Sequence, residues 1–133
     1  MTAKTETETM SFRRAFEAEH ARRDAERRAR EEAERKQQEE DLARAEALHR
    51  ALAEDAAFFA ERGITLDLRR YTVSLNHQDF LIDAYFEGGR ANVRSADRRT
   101  ATTPTAAPRK SQMVDTVEDA LMVMAQYLAD EIR

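Results

Sequence analysis

Between Phe16 and Leu42 the sequence contains no apolar residue larger than alanine. A helix formed from such a stretch has no apolar stripe with which to pack on a core. Oppositely charged residues instead recur one helical turn apart, and each such pair stabilises a helix by roughly 0.2–0.5 kcal/mol. We therefore predict a solvated helical arm over residues 11–41. The i, i+4 pairs in this stretch are Glu19/Arg23, Arg22/Glu26, Asp24/Arg28, Glu26/Arg30, Arg27/Glu31, Arg28/Glu32, Glu31/Arg35, Glu32/Lys36, Arg35/Glu39 and Lys36/Glu40.

The only large apolar residues of this arm lie at its start. Phe12 and Phe16 share a helix face because they are four residues apart. Exposed aromatic side chains favour contact with a partner, so we predict that they bind another protein or a second copy of the chain, for example as a coiled coil. The alternative is that the arm is a spacer that docks on nothing. Residues 1–10 offer nothing to bury and are predicted to form a disordered tail.

The character of the chain changes at Leu42. Apolar residues then recur at spacings of three and four, which predicts a helix face turned toward a core. A coiled-coil seam is the alternative. Gly63 follows where a left-handed residue would end this helix. The stripe consists of Leu42, Ala45, Leu48, Leu52, Ala56 and Phe59.

A hairpin is predicted at Gly88-Gly89, since two glycines favour a two-residue turn between antiparallel strands. This register places Asp83 opposite Arg94 on one face, with Glu87 opposite Arg90, and Phe86 opposite Ala91 on the other face. A preceding turn over residues 76–79 is predicted to pair Leu75 with Phe80, Val73 with Ile82 and Tyr71 with Ala84. The earlier alternation of Ile64, Leu66 and Leu68 is out of phase, which indicates a bulge or bend at Arg69-Arg70.

Residues 96–112 contain two prolines and no large apolar residue, so we predict a flexible loop. A last helix begins near Asp115 or Thr116, with a buried stripe of Val117, Leu121, Met124, Ala125, Leu128 and Ile132. The predicted fold class is α+β: a long N-terminal charged helix, then a three-stranded antiparallel meander packed on one face by two helices (α-β-β-β-α). The compact α+β module is predicted to span residues 42–133. Its predicted core is Leu48, Leu52, Phe59, Leu66, Tyr71, Val73, Leu75, Phe80, Ile82, Ala84, Phe86, Val93, Val117, Leu121, Met124, Leu128 and Ile132.

The inventory of reactive side chains is poor. The chain has no cysteine, and its three histidines show no metal-ligand spacing. No nucleophile elbow, zinc-protease motif or phosphate-binding glycine loop is present. We therefore predict no enzymatic activity, no catalytic or metal-binding residues and no cofactor. The sequence shows neither a signal peptide nor a membrane-spanning stretch, which predicts a cytoplasmic protein without membrane contact.

One basic segment indicates a second function. Residues 90–110 carry five arginines and one lysine against a single acid, Asp97. The order helix, meander, helix is similar to that of double-stranded RNA-binding domains. This resemblance implies that the cations of the segment contact phosphate groups. Carboxylates at Asp115, Glu118 and Asp119 would repel phosphate from the start of the last helix. The candidate nucleic-acid-binding residues are Arg90, Arg94, Arg98, Arg99, Arg109 and Lys110.

The sequence as a whole favours a non-enzymatic interaction protein, either an adaptor or an assembly protein, that uses its helical arm for partner binding or self-association. Homo-oligomers are an expected form. Nucleic-acid binding through the basic segment is the alternative. A third interpretation of that segment is structural: its arginines pair with acids of the same chain.

Overall fold

The computed structural model describes residues 11–99 and 107–132, and for residues 107–109 it describes the backbone. The predicted tail, residues 1–10, lies outside the described residues. The elements in chain order are α1 (Phe12–Ala53), α2 (Ala56–Glu61), β1 (Thr65–Arg69), β2 (Thr72–Asn76), β3 (Phe80–Glu87), β4 (Arg90–Asp97), β5 (Ala107–Val114) and α3 (Val117–Glu131). The fold is α+β, with one long helix, an antiparallel sheet and a C-terminal helix.

The chain divides into two compact units, and the boundary lies within α1 between Lys36 and Gln37. In the first unit the described residues form helix alone, and their side chains are exposed except for the half-buried Glu19 and Asp24. The second unit holds the remainder of α1, the sheet, α2 and α3. Every buried residue of α1 lies in this second part: Asp41, Ala45, Leu48 and Leu52.

Local capping interactions explain where the helices begin and end. The Ser11 hydroxyl accepts a hydrogen bond from Arg14 N at 3.1 Å, which satisfies a free amide of the first turn of α1. Gly63 has φ 71° and follows α2, where Ile64 N donates to Phe59 O at 2.9 Å. This pattern, with both Phe59 and Ile64 buried, is a Schellman cap. The predicted end at Gly63 is confirmed.

The helix that precedes Gly63 was predicted to be continuous, but it is divided into two helices. It is interrupted at residues 54–55, where Asp55 N donates to Leu52 O at 3.0 Å, three residues back. Asp55 then occupies the N-cap position of α2. Aspartate is a weak helix former and favours such positions, which accounts for a break at this residue.

The sheet has five strands in the order β1-β2-β3-β4-β5, all antiparallel. The β3–β4 hairpin has the predicted register, with Asp83 opposite Arg94, Phe86 opposite Ala91 and Glu87 opposite Arg90. Gly88 and Gly89 have φ of 62° and 82°, which two-residue turns of this kind require. The two glycines therefore determine the alignment of the central strands.

The predicted register of β2 and β3 is wrong by two residues. Leu75 lies opposite Ile82, and Val73 lies opposite Ala84. The connection is shorter than the predicted four-residue turn, because His77 N donates to Phe80 O at 3.0 Å. His77 Nδ1 also accepts a hydrogen bond from Asp79 N at 3.0 Å within this turn. A shift of two residues leaves each side chain on its predicted face, since side chains alternate with period two.

The predicted count of three strands is also wrong. The lead-in containing Leu66 and Leu68 is a full strand, β1, and the predicted bend is a tight turn in which Arg70 has φ 52°. The predicted loop 96–112 contributes the end of β4 and most of β5, while residues 100–106 lie outside the described residues. The sheet therefore has two strands more than the three-stranded meander on which the resemblance to double-stranded RNA-binding domains rests.

The core lies between one face of the sheet and the helices. Most predicted core residues are buried in it, including Leu48, Phe80 and Ile82. The buried face of α3 differs from the predicted stripe, since Val123 and Tyr127 are buried whereas Ala125 and Ile132 are exposed. Predicted core residues that are only half-buried are Leu66, Tyr71, Val117 and Leu121. The buried apolar residues outside the predicted core list are Ala45, Ile64, Ala91, Val114, Ala120, Val123 and Tyr127. Of these, Ala45 belongs to the predicted core-facing stripe, and Ala91 was predicted to lie opposite Phe86.

Candidate interaction surfaces

The helix of the first unit is held by charge pairs along its surface. Glu19 accepts hydrogen bonds from Arg22 at 2.6 Å and from Arg23 at 2.8 Å. These two guanidinium groups lower the pKa of Glu19 from its usual 4.5 to about 2. Several predicted i, i+4 pairs form among the described residues, and pairs three residues apart add to them. They include Glu19–Arg23, Arg22–Glu26 and Arg27–Glu31, together with Glu19–Arg22, Asp24–Arg27 and Glu32–Arg35.

The aromatic tip of the arm, defined as Phe12 and Phe16, is exposed. Phe12 has 86% and Phe16 has 57% of its surface accessible. Phe16 stacks on His20 with ring centroids 5.6 Å apart, so the aromatic surface extends one turn further along the helix. Among the described residues, neither phenylalanine is buried by an apolar neighbour. The tip is thus an apolar surface on an otherwise charged helix.

The first cations of the basic segment are bonded to acids of the same chain. Arg94 donates to both carboxylate oxygens of Asp83, from Nε at 3.1 Å and from a terminal nitrogen at 2.8 Å. Asp83 is buried, and its carboxylate raises the pKa of Arg94 still higher. Arg90 donates to Asp115 at 2.9 Å. Removing Arg94 to bind phosphate would leave a buried carboxylate without its counter-charge, which is costly.

The remaining cations of the segment join the sheet to its loops and to α3. Arg98 donates to the carbonyl oxygen of His77 at 3.0 Å and so supports the β2–β3 connection. Arg99 donates to Glu131 at 2.8 Å, and the Lys110 ammonium bonds Asp130. The predicted Arg109 side chain lies outside the described residues. The described cations therefore have intramolecular partners, as the structural interpretation of this segment requires.

Asp41 performs a role that sequence reasoning missed. Asp41 is 4% exposed, and its carboxylate accepts hydrogen bonds from Gly88 N and Gly89 N, both at 2.9 Å. Two successive left-handed residues turn their amides toward one point and form an anion-binding concavity. Gln37 also donates to Asp41 at 3.2 Å. The only available signal was the position of Asp41 one turn before Ala45, in phase with the apolar stripe.

An apolar groove opens in the second unit between α2 and α3. It has a volume of about 470 Å³, in the range of about 300–1,000 Å³ that is typical of binding sites. Its floor includes the buried Leu75 of β2 and Met124 of α3. Phe58 and Ile132 at its borders are 41% and 37% exposed. The other lining residues are Leu52, Asp55, Phe59, Arg62, Leu121, Ala125, Leu128 and Ala129.

The two charged residues of the groove differ in their state of pairing. Arg62 stacks over the Phe58 ring at 3.8 Å, donates to the Phe58 carbonyl oxygen at 3.0 Å and lies 3.8 Å from Glu61. Asp55 caps α2 without a hydrogen bond from its side chain, and no ion pair to it is recorded within residues 11–99 and 107–132. The groove consequently presents apolar surface beside one carboxylate whose charge is not compensated.

Other functional signals are weak. Comparisons with protein-family models, curated proteins and solved structures gave no match. In the described part of the chain, no three His, Asp or Glu residues are grouped as metal ligands. None of the described helices is long and apolar enough to cross a membrane. The function is therefore argued from the aromatic tip, the basic segment and the groove.

Proposed function

We propose that this chain is a non-enzymatic interaction protein whose helical arm binds another protein, or a second copy of the chain, through Phe12 and Phe16. The observation that carries the proposal is the exposure of both rings on a helix that has no core of its own. A single exposed apolar residue needs no explanation, but an aromatic pair one turn apart is typical of helix anchors that enter a partner's groove.

The energetics of the arm support this role. Burying a phenylalanine side chain contributes about 1.5–3 kcal/mol, so the pair supplies a substantial apolar contact. Ion pairs such as Arg22–Glu26 at 2.7 Å hold the helix before any partner arrives. A helix formed in advance lowers the entropy cost of binding, because fewer dihedral angles have to be ordered in the complex.

The competing interpretations have less support. A spacer would function without exposed aromatic residues at its end, so it does not account for Phe12 and Phe16. Nucleic-acid binding would require Arg90, Arg94 and Lys110 to exchange their carboxylate partners for phosphate. Their pairing with acids of the chain removes much of the positive potential on which such binding depends.

Replacing both phenylalanines by alanine in the full chain tests the proposal. We expect Phe12→Ala with Phe16→Ala to abolish self-association in light scattering, or to abolish retention of a bound protein in affinity capture. At a concentration where the unaltered chain is monomeric, the melting temperature of the core should not change, since both side chains lie outside the core and are largely exposed.

Met113→Ala is the matched control. Met113 is an exposed apolar residue of β5 opposite Asn92, and it lies outside the arm. This variant should form the same complexes as the unaltered chain. If the double alanine variant also formed complexes of unchanged mass and amount, the arm would not be the binding element.

A further inference from the structure

The groove between α2 and α3 and the aromatic tip have matching chemistry. Both are apolar surfaces left accessible in their own unit. On α3 the groove extends from Leu121 to Ile132, which is roughly 16 Å at 1.5 Å per residue. Two anchors one helical turn apart need only about 6 Å of that length. The groove is thus long enough to receive the side chains of Phe12 and Phe16.

The charges also match. Arg13 and Arg14 lie between the two phenylalanines in sequence. Arg13 donates to Glu17 at 3.1 Å, whereas no ion pair of Arg14 is seen among the described residues, so Arg14 gives the tip one uncompensated positive charge. In the groove the arginine, Arg62, is already engaged by Glu61 and by the Phe58 carbonyl oxygen. The uncompensated charge is the Asp55 carboxylate. A basic aromatic helix therefore fits this groove better than an acidic or a purely aliphatic one.

We infer that the occupant of the groove is the aromatic tip of a second copy of this chain. The inference rests on the proposed function of the arm and names its partner. A contact of this kind joins two different surfaces. When each copy gives its tip and receives the tip of the other, the assembly closes as a two-fold symmetric dimer with two identical contacts.

The test uses full-length variants in sedimentation velocity over a concentration series. Ala125→Arg places a bulky cation in the groove at an exposed helical position, where arginine is a good helix former. Gln126→Arg is the matched control, since Gln126 is the next residue of α3, is exposed and does not line the groove. We expect Ala125→Arg to weaken dimer formation by roughly tenfold or more, as truncation of anchor contacts does. Gln126→Arg should dimerise normally.

A second experiment mixes the groove variant with the tip variant. Ala125→Arg keeps an intact tip, and the Phe12→Ala, Phe16→Ala variant keeps an intact groove. An equimolar mixture should therefore recover a complex with the mass of two chains, which neither variant forms alone. Asp55→Lys should weaken the dimer and Asp55→Glu should retain it.

Several results would overturn the inference. A chain that stays monomeric at every concentration has no second-copy contact, although the arm could still bind another protein. If Ala125→Arg dimerises normally while the double alanine variant is monomeric, the arm binds elsewhere and the proposed function stands without the groove. Unaffected dimerisation of Asp55→Lys would remove the charge match that selects this occupant.

Discussion

At the scale of single residues, Asp41 shows how one side chain can connect distant parts of the sequence. It lies 47 residues from Gly88, yet its carboxylate oxygens bond the amides of both turn glycines. The Gly88-Gly89 turn requires positive φ at both positions, which turns these two donors away from the sheet ladder. Without the carboxylate, these part-buried amides of the turn would lose their charged acceptor, which costs free energy.

We predict that Asp41→Ala lowers the free energy of unfolding by about 1–3 kcal/mol, because it removes two hydrogen bonds to a charged, buried acceptor. Asp41→Asn should cost less than Asp41→Ala, since its amide keeps one oxygen that can accept from Gly88 or Gly89. Urea titration followed by tyrosine fluorescence measures both changes.

Glu40→Gln is the control for this position, since Glu40 is the exposed neighbour of Asp41 in the same helix. It should leave the denaturation midpoint unchanged. An Asp41→Ala variant as stable as the unaltered chain would mean that water replaces the carboxylate at no cost.

At the scale of the elements, the arm helix depends on charge where other helices depend on burial. The Glu19 carboxylate is its most perturbed acid, with a pKa lowered from 4.5 to about 2 by hydrogen bonds from Arg22 and Arg23. A group whose pKa falls on folding stabilises the folded state above its unfolded pKa. That contribution is lost as the pH falls through the folded value.

We therefore predict that the Glu19 contribution to helicity is complete above about pH 4.5 and disappears as the pH approaches about 2. The carboxyl carbon of Glu19, followed by nuclear magnetic resonance, should titrate near 2. Glu19→Gln should lower the helical signal of the arm at neutral pH and make it less dependent on acid.

Glu34→Gln offers a comparison in the same helix, since no ion pair of Glu34 is recorded among the described residues. It should lower helicity less than Glu19→Gln does. A Glu19 carboxyl that titrates near 4.5 would show that the paired geometry is not populated in solution.

The strands show which elements can be predicted from sequence. The β3–β4 register was predicted correctly because the glycine pair and the alternating residues on both sides point to one alignment. The β2–β3 register was not, because His77 organises its turn through a side-chain acceptor and by stacking on Phe80 at 4.5 Å. Strand β5 was missed because Ala107–Val114 has no apolar alternation, and its pairing with β4 supplies the reason for an extended backbone.

The candidate site was predictable only in part. The aromatic tip follows from the i, i+4 spacing of Phe12 and Phe16 in a charged segment. The groove does not, because it depends on the interruption at Asp55 and on which face of α3 is buried. Ile132, which was predicted to be buried, is exposed, whereas Tyr127, which is not part of the predicted stripe, is buried. Periodicity identifies a stripe, but the packing partner selects the part of it that is covered.

At the scale of the whole molecule, the two units draw their stability from different sources. The first unit buries no described side chain, whereas the second has a continuous core that includes Leu48, Phe80 and Ile82. Ion pairs between exposed groups are screened by salt, and burial of apolar surface is not. The two units should therefore respond differently to the same change of conditions.

We predict that raising the salt concentration to about 1 M, where the screening length is about 3 Å, lowers the helical circular dichroism signal before any heating. The thermal midpoint reported by tyrosine should not fall. All three tyrosines, Tyr71, Tyr85 and Tyr127, belong to the second unit, so their signal reports the core alone. Coincident loss of both signals with salt would mean that the arm and the core are a single cooperative unit.

The sheet order has a consequence for crowded solutions. Its two edge strands are β1 and β5. β1 is five residues long and carries Asp67 and Arg69, while β5 contains Pro108, which has no amide proton to donate, and Lys110. Short, charged or proline-bearing edges resist the strand-to-strand stacking that builds fibres. We therefore expect that a concentrated solution of this protein does not form fibres by pairing of sheet edges.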